Sequence, residues 1–399
     1  MGGVVEDDGL EINTVFHIKG IMKKIILVGI ASLLALSLSA QLLPERPVEP
    51  INWWQPVEFP WSAHKTDTIT VYIIGDIMSH QSQIDGGLKY GFSTFLNHIA
   101  RNVESADLAI GNMEYTLAGP PYTGYPSFCA PDAYTLYLRD IGFDVLLTAN
   151  NHILDKGYRG LNRTFAVLDT LKGVQYTGMS RTPKEDKERY PLIVEVKGIR
   201  IAIINFTYGT NTKPSKDWPK INRIDRADIL AAINRAKEAE ADLILAFPHW
   251  GIEYKFKHNQ SQESLAKFMV ENGVHAVIGG HPHYVQDMEW MGDVPVIYSL
   301  GDAVSNMDGS SARTGLAVTL KIALETGEAP RILPPLYEFL WNSRPGEVEN
   351  THSALPVREF LAAPERWRNK DAYQLMKNAY YTVRKESGIH EEDTETGSR

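Results

Sequence analysis

Two histidines one residue apart give the clearest chemical signal in this sequence. His281 and His283 lie in the segment Gly279-Gly280-His281-Pro282-His283, directly after the apolar run from Val274 to Ile278. Side chains at positions i and i+2 of an extended segment point to the same side, so both imidazoles can reach one centre. Neutral imidazole is the commonest metal ligand, and glycine lets the backbone approach an ion closely. The segment therefore predicts a metal site at a strand end.

Four further segments place polar residues of similar character after apolar runs. In open α/β sheets ligands gather outside the carboxyl ends of the strands, which is where these segments should lie. Their mixed oxygen and nitrogen donors suit Mn, Fe or Zn better than Ca or Mg. The segments are Gly75-Asp76-Ile77-Met78, Gly111-Asn112-Met113-Glu114, Ala149-Asn150-Asn151-His152 continuing to Asp155 and Gly157, and Pro248-His249-Trp250-Gly251.

Each of these residues also has an ordinary structural explanation when it is taken alone. Asp76 could cap a helix, Asn151 could form a turn, and His249 could be a hydrogen-bonded core histidine. Five such segments, all at strand ends, favour a shared metal site over five unrelated explanations.

Composition sets broad limits on the function. With 399 residues and 43% apolar content, the chain can bury the core of one large domain or two smaller ones. Its 40 basic and 49 acidic residues give a net charge of −9 without basic blocks, so nucleic acid is not an expected partner. A polyanionic partner would need a local positive centre, such as a bound divalent cation. The single cysteine, Cys129, excludes an internal disulfide framework and a CxxC zinc site.

The amino-terminal region has the order of an export signal. Met22-Lys23-Lys24 precedes an apolar run from Ile25 to Leu36 and small residues up to Ala40. We expect residues 1–21 to be an upstream extension and residues 22–40 to be a signal segment cut before Gln41. The apolar run is short for a spanning helix, which needs roughly 20 residues, but an uncleaved anchor stays an alternative. The expected location is therefore exported: periplasmic, cell-surface or membrane-anchored.

Three regions follow the signal segment. Residues 41–67 form a Pro- and Trp-rich lead-in that we expect to pack on the domain surface, although it could also bind sugar or a partner. Residues 68–342 carry the motifs and form the main domain. Residues 343–399 are polar and end in a charged stretch, so we expect a peripheral C-terminal tail.

Within the main domain, apolar strands alternate with segments of helical spacing, which predicts an α/β fold. Lys197-Gly198 and Gly292-Asp293 indicate hairpin turns, so the later sheet should be partly antiparallel. The predicted strands are Ile69–Gly75, Leu108–Gly111, Val145–Thr148, Leu192–Val196, Ile199–Asn205, Leu243–Phe247, His275–Ile278, Pro295–Ser299 and Thr314–Leu324. The predicted helices are Thr94–Val103, Ala133–Ile141, Gly160–Leu171, Ala227–Ala239 and Ser261–Asn272.

The motif order GD…GNxE…NNHxxDxG…HWGxEY…GxHPH…YSLGD resembles that of the bacterial capsule-synthesis family, the CapA-like proteins associated with poly-γ-glutamate. That family in turn looks like a branch of the calcineurin-like metallophosphoesterases. The resemblance covers roughly Thr68 to Asn306 and is most specific in the stretches 150–157 and 249–254. It implies a four-layer αββα sandwich of two mixed sheets, of the α/β or α+β class, with a two-metal site between the sheet edges.

The resemblance also implies roles for individual residues. Asp76 matches the aspartate of the first motif and would share the first ion with His283. Glu114, or alternatively Asn112, would take the bridging position. Asn151 and His249 would hold the second ion, and His281 would complete its shell. The full implied set is therefore Asp76, Glu114, Asn151, His249, His281 and His283.

His152 resembles the catalytic histidine of the family, with Asp155 as a candidate orienting carboxylate. At two positions the expected donor set is altered. Met78 stands where the superfamily usually carries a histidine, so the first ion position is weak, differently completed or empty. Asp302 stands where the pattern often has Asn, and it could serve as a partner of a metal-bound histidine or shape a turn.

Two functions are compatible with these residues. The first is an exported, metal-dependent hydrolase with one or two Mn, Fe or Zn ions, acting on a phosphoester or on a γ-linked glutamyl polymer. In this hypothesis His152 protonates the leaving group. The second is a non-enzymatic accessory protein of capsule polymer synthesis or export. It would bind an anionic chain through its metal site as part of a membrane-associated complex.

Overall fold

The structure is a computed structural model that describes residues 67–325 and 327–391. The predicted extension 1–21, the predicted signal segment 22–40 and all but the last residue of the lead-in 41–67 lie outside the described residues.

The first sheet is mixed and is organised around β1 (Asp67–Ile77). Strand β1 pairs antiparallel with β14 (Thr314–Leu324) and parallel with β2 (Leu108–Met113). Near its carboxyl end it also pairs parallel with β13 (Asp302–Val304). The remaining strands of this nine-stranded sheet are β3 (Val145–Leu147), β4 (Gln175–Thr177), β15 (Arg331–Ile332), β16 (Leu336–Ser343) and β17 (Ser353–Pro356).

The second sheet has six strands in the order β11-β12-β10-β9-β7-β6. Its four central strands run parallel, and a hairpin partner lies antiparallel at each edge. Its strands are β6 (Leu192–Val196), β7 (Ile199–Thr207), β9 (Leu243–His249), β10 (Ala276–Ile278), β11 (Met288–Met291) and β12 (Val294–Ile297), while β5 (Met179–Ser180) and β8 (Lys220–Ile221) form a separate pair.

Both predicted hairpin turns are present. Lys197 and Gly198 join β6 to β7 with positive φ angles of 49° and 79°, and Gly292 joins β11 to β12 with a φ of 65°. Such left-handed turn conformations match the twist of two antiparallel strands. The antiparallel edges of the second sheet follow from these two short turns.

Nine α-helices lie within the described residues; five of them lie at or near predicted positions, and the other four were not predicted. The prediction for Thr94–Val103 was too long, because residues 93–99 form successive turns and the helix begins at Ala100. The helices are α1 (Gln81–Tyr90), α2 (Ala100–Ser105), α3 (Asp132–Asp140), α4 (Gly157–Leu168), α5 (Pro183–Arg189), α6 (Arg226–Glu238), α7 (Gln260–Glu271), α8 (Val357–Ala362) and α9 (Lys370–Ser387), with a 3-10 turn at Pro364–Arg366.

Three apolar clusters define the layers. Alternate residues of β1 point to opposite faces, so Ile73 joins a cluster shared with the inner face of the second sheet, whereas Ile74 faces the helices outside the first sheet. On the outer face of the second sheet, Ala246 of β9 packs in a third cluster with residues of α6 and α7. The predicted α/β class with two mixed sheets, layered as an αββα sandwich, is confirmed.

The segment predicted to be a peripheral tail, residues 343–399, differs from that expectation as far as it is described. Strand β17 extends the first sheet, and α8 and α9 contribute to the central apolar cluster. Helix α9 is polar in overall composition, but its buried residues recur at helical spacing: Ala372, Met376, Ala379, Tyr380 and Val383. A narrow apolar stripe of this kind is enough to bind a helix to a core, and average composition conceals it.

None of the helices in the described ranges combines the length and apolar character needed to cross a bilayer.

Two neighbouring residues of α9 test whether this helix supports the fold. Met376 is fully buried in the central cluster, whereas the side chain of Leu375 is 41% exposed. We expect Met376→Ala to lower the free energy of unfolding by about 2–5 kcal/mol, because it leaves a cavity. The matched change Leu375→Ala should alter it by only about 0.5 kcal/mol. Chemical denaturation measures both, and equal stability of the two variants would contradict the integral position of α9.

Candidate metal centre

The predicted site residues come from the carboxyl ends of strands in both sheets. The first sheet supplies Asp76 from β1, Glu114 just after β2, and Asn151 after β3. The second sheet supplies His249, the last residue of β9, and the His281-Pro282-His283 segment after β10. Parallel neighbouring strands end at one edge of a sheet, so each sheet collects its own donors, and the packing of the two sheets brings both sets together.

Asp76 is the centre of this arrangement. Its Cα is in register with Asn112 on one neighbouring strand and with Asp302 on the other. The carboxylate accepts a hydrogen bond from Nδ2 of Asn112 at 2.7 Å and one from the backbone N–H of His281 at 2.9 Å. Gly280 allows this approach, since a Cβ there would lie 2.7 Å from Oδ1 of Asp76. The first sheet's central strand is thus tied to the second sheet's histidine segment.

Glu114 is fully buried, and neither of its carboxylate oxygens has a hydrogen-bond partner. Its Oε1 lies 3.5 Å from Nε2 of His249 and 4.0 Å from Nε2 of His152. Asn112, the alternative for this position, already uses its amide to donate to Asp76 and to accept from Asn150. The free oxygens of Glu114 make it the better candidate for the bridging role.

His249 lies beside Glu114, and Asn151 and His281 lie beside His249. Nε2 of His249 is 2.7 Å from Oδ1 of Asn151, and the rings of His249 and His281 have their centroids 4.9 Å apart. Nδ1 of His281 is buried without a partner. Together these groups present several donor atoms toward one small region.

The histidine segment adopts an unusual backbone. His281 and His283 have φ angles of 98° and 56°, in the left-handed region that side chains other than glycine rarely occupy. Such conformations cost on the order of 1–3 kcal/mol each and persist where the surroundings enforce them. Here the hydrogen bond from the His281 backbone to Asp76 is one of the contacts that holds the strained segment in place.

The protonation states of these groups follow from their burial. Burial lowers the pKa of His281 to about 3 and that of His249 well below its usual value, so both are neutral, as metal ligation requires. Burial, together with the negative charge of Asp76, raises the pKa of Glu114 well above its usual value. In the absence of a cation, negative charge on Glu114 is therefore disfavoured.

His283 differs from the other two histidines. Although burial acts to lower its pKa, the charge of Asp302 and a hydrogen bond to it raise the pKa to about 9. Nδ1 of His283 lies 2.8 Å from Oδ1 of Asp302, while Oδ2 of Asp302 is buried without a partner. Asp302 thus contacts one of the predicted ligands directly.

His152 and Asp155 form a pair at the edge of the cluster. Nδ1 of His152 lies 2.6 Å from Oδ2 of Asp155, and that same oxygen accepts the backbone N–H of Phe128 at 2.7 Å. The Phe128 ring also packs edge-on against His152, with centroids 4.4 Å apart. The imidazole is therefore fixed in orientation, and its Nε2 is directed toward the Glu114 side.

An open cleft of about 770 Å³ leads to this pair. Two of its tyrosines, Tyr125 and Tyr254, are exposed at the rim. The cleft is large enough for a polymer segment or a small ester. Its lining includes Met78, Tyr125, Asn151, His152, Tyr254 and His283.

The donor groups fit a divalent cation. Asp76, Glu114 and Asp302 are all fully buried, and their ion-pair partners are histidines. Two sets of mutually close ligand atoms occur among the described residues: Asp76 with Glu114 and His249, and Asp76 with His283 and Asp302. Three buried carboxylates with several unpartnered oxygens are costly unless a positive charge accompanies them. Asp76 belongs to both sets, so two adjacent ion positions are geometrically available.

The structure brings together all eight residues predicted for the site: the six candidate ligands and the pair His152 and Asp155. Their roles as ligands and catalyst stay predictions. Sequence reasoning did not single out Asn211, whose Nδ2 lies 3.2 Å from Nδ1 of His152 and whose backbone N–H bonds the carbonyl of Asn151. Its position just beyond the carboxyl end of β7 was the available signal.

Comparison with known proteins adds a family context to this geometry. The family model described as bacterial capsule synthesis protein PGA_cap matches residues 70–307. The chain is 28% identical to the capsule biosynthesis protein CapA of Bacillus anthracis over 266 residues, an alignment that spans 63% of this chain and 64% of that protein. It is 26% identical to the PGA biosynthesis protein CapA of Bacillus subtilis over 267 residues, spanning 64% of this chain and 68% of that protein.

Solved structures with a similar arrangement of elements include the NAD nucleotidase of Haemophilus influenzae. That match covers 80% of this chain and 63% of the nucleotidase, with 14% identity and a TM-score of 0.44.

Elemental analysis tests the candidate metal centre without an activity assay. We expect purified protein to carry one or two equivalents of a divalent transition metal, and Asn151→Ala/His281→Ala to lose most of it, because two adjacent donors are removed. Added metal should raise the melting temperature of the wild-type protein but not that of the double variant, since an ion that binds only the folded state stabilises it.

The exposed His390 supplies a control for removal of a histidine as such, and His390→Ala should keep the wild-type metal content. Absence of metal from every form after reconstitution, or equal metal content in the double variant, would refute the centre.

Proposed function

The chain belongs to the bacterial capsule synthesis protein family, and on that premise we propose that it is a metal-dependent hydrolase acting in capsule polymer metabolism. The substrate classes that its site supports are a phosphoester and a γ-linked glutamyl polymer. The chain spans 64% of the length of the Bacillus anthracis relative. The activity, substrate and partners of the whole protein are therefore proposals.

The observation that carries the proposal is the position of His152. Asp155 holds one ring nitrogen at 2.6 Å, and the other ring nitrogen lies 4.0 Å from the unpartnered carboxylate of Glu114. His152 also lines the open cleft. A histidine fixed on one side by a carboxylate, and presented on the other side to a candidate metal cluster and a cleft, has the geometry of a general acid–base.

The chemistry is divided between the bound ion and the residues of the chain. A divalent ion held by the cluster would stabilise negative charge on the reacting group and lower the pKa of water toward neutrality. Asp155 accepts the proton on Nδ1 of His152 and so leaves Nε2 as the nitrogen that exchanges protons with the substrate. His152 would donate its Nε2 proton to the leaving oxygen or nitrogen as the bond breaks. Asn211, which lies over the ring, would restrict its rotation.

The electrostatics of the chain support an anionic substrate that binds through the metal. Its net charge is −9, and the cleft lining contains the acidic residues Glu253 and Asp308 but no lysine or arginine. An anionic chain would therefore be attracted chiefly by the bound ion, with hydrogen bonds from the amides and phenols setting its orientation. The relatives named for capsule and PGA biosynthesis favour a glutamyl polymer among the anionic candidates.

A second candidate function is that of a non-catalytic accessory protein that binds the anionic polymer through the same site. Met78 favours it, because this buried thioether reaches the cleft at a strand end where an imidazole would strengthen ion binding. In this alternative the metal cluster anchors the chain and His152 contacts it without transferring a proton.

An exported location is part of the proposal. The order of basic, apolar and small residues in the segment 22–40 supports export, with periplasmic, cell-surface and membrane-anchored forms as the possible destinations. A membrane-associated polymer synthesis complex would then be the expected partner.

Hydrolysis assays with a His152→Ala variant test the catalytic proposal. With Mn²⁺, we expect wild-type protein to cleave a phosphodiester or poly-γ-glutamate, and the variant to lose about 10²- to 10⁴-fold in rate, the contribution typical of a general acid–base. The loss should be larger for an alkyl phosphodiester than for a p-nitrophenyl ester, because p-nitrophenolate leaves without a proton.

His390→Ala serves as the matched control, and circular dichroism verifies that the variants fold. Full activity of folded His152→Ala would eliminate the assigned role of this histidine. Tight, metal-dependent retention of poly-γ-glutamate without turnover of any substrate would establish the accessory function instead.

A further inference from the structure

Asp302 is the residue near the metal centre whose position the proposed chemistry leaves unexplained. Of the two sets of close ligand atoms, the one with Glu114 has Asn151 and His281 next to its histidine, His249. The other set consists of Asp76, His283 and Asp302. Without Asp302, this second position would have two protein ligands, and the nearby Met78 offers only a thioether.

Strand pairing places Asp302 close to Asp76. Strand β13 runs parallel to β1, with Asp302 and Asp76 as Cα partners, and the backbone N–H of Asp76 donates to the carbonyl of Gly301 at 3.0 Å. On the other side, the amide of Asn342 donates to the backbone carbonyl of Asp302 at 2.9 Å. Two in-register carboxylates on adjacent strands repel each other unless a cation lies between them.

One carboxylate oxygen of Asp302 has no hydrogen-bond partner. Oδ1 lies 2.8 Å from Nδ1 of His283, whereas Oδ2 is fully buried and has no hydrogen-bond partner. If Asp302 served only to orient His283, one oxygen would suffice and the other would be left buried without compensation. An unpartnered buried carboxylate oxygen costs folding free energy, and coordination of an ion removes that cost.

We propose that Asp302 is a direct metal ligand that completes a second ion position with Asp76 and His283. Each set has two carboxylates and one imidazole, with Asp76 common to both, and the neighbouring set of Asp76, Glu114 and His249 also has the amide of Asn151 beside its histidine. Two carboxylates with a single imidazole form a donor set that accepts a hard ion such as Mn²⁺. The inference rests on the metal centre of the proposed function but not on hydrolysis.

Titration of the metal-free protein with Mn²⁺, followed by calorimetry and electron paramagnetic resonance, tests this assignment. Wild-type protein should bind two equivalents and give the spectrum of a spin-coupled ion pair. Asp302→Asn keeps an acceptor for His283 but replaces Oδ2 with an amide nitrogen, so it should bind one equivalent and give the spectrum of an isolated ion. The affinity of the lost equivalent should fall by more than about 100-fold, beyond the 10–100-fold typical of a residue that only orients a ligand.

Asp293→Asn, a change at an exposed hairpin residue, is the matched control and should leave both equivalents in place. Two equivalents and a coupled spectrum in Asp302→Asn would overturn the assignment of Asp302 while leaving the metal centre intact. Absence of any Mn²⁺ binding by wild-type protein would overturn the metal centre itself, and the assignment with it.

Crystals of the wild-type protein soaked in Mn²⁺ give an independent readout if Asp302→Asn does not fold. Anomalous density within about 2.2 Å of an Asp302 oxygen, the usual distance between a transition metal and a carboxylate oxygen, would support direct ligation. An ion at the Asp76 and His283 position that lies beyond bonding distance of Asp302 would overturn it.

Discussion

The burial of three carboxylates at one point between two sheets is the constraint on which this structure depends. Asp76, Glu114 and Asp302 are removed from solvent, and the groups that face them are mostly histidines. Negative charge in such surroundings must be neutralised by protons or by a cation. The raised pKa of Glu114 favours its protonated, neutral form, whereas the two overlapping sets of ligand atoms could hold a cation instead. These residues therefore form a candidate site for a divalent cation.

The surrounding structure is arranged to hold these groups despite the cost. Gly280 gives Asp76 room, and the backbone of His281 bonds the same carboxylate while it adopts a strained conformation. The sandwich core holds this segment rigidly, because the inner faces of both sheets and the C-terminal helices share one apolar cluster. Local strain is tolerated because that extensive burial supplies the stability the site lacks.

Chemistry and family membership point to the same biological setting from different directions. The family concerns capsule synthesis, and the site combines candidate ligands with a carboxylate-oriented histidine at a cleft. A purely binding function would need the cluster but would not need Asp155 to hold His152 at 2.6 Å. Proton transfer explains that contact directly, because a fixed tautomer leaves the other ring nitrogen available to the substrate. The His152–Asp155 pair is therefore the feature that separates the two candidate functions.

The sequence by itself determined which residues meet and in which class of fold. Polar residues after apolar runs identified the five segments that carry the site, because parallel strands end at one edge whatever the details of packing. The family resemblance then implied Asp76, Glu114, Asn151, His249, His281 and His283 as the ligands within them. The sequence could not determine that Asp302 lies in register with Asp76, that Asn211 reaches His152, or that α9 is bound into the core. The first relation joins residues 226 positions apart and the second joins residues 59 positions apart, while the third depends on an apolar stripe within a polar helix. Only the pairing of strands and the stacking of sheets fixes such distances, because local sequence patterns carry no information about which distant element becomes a neighbour.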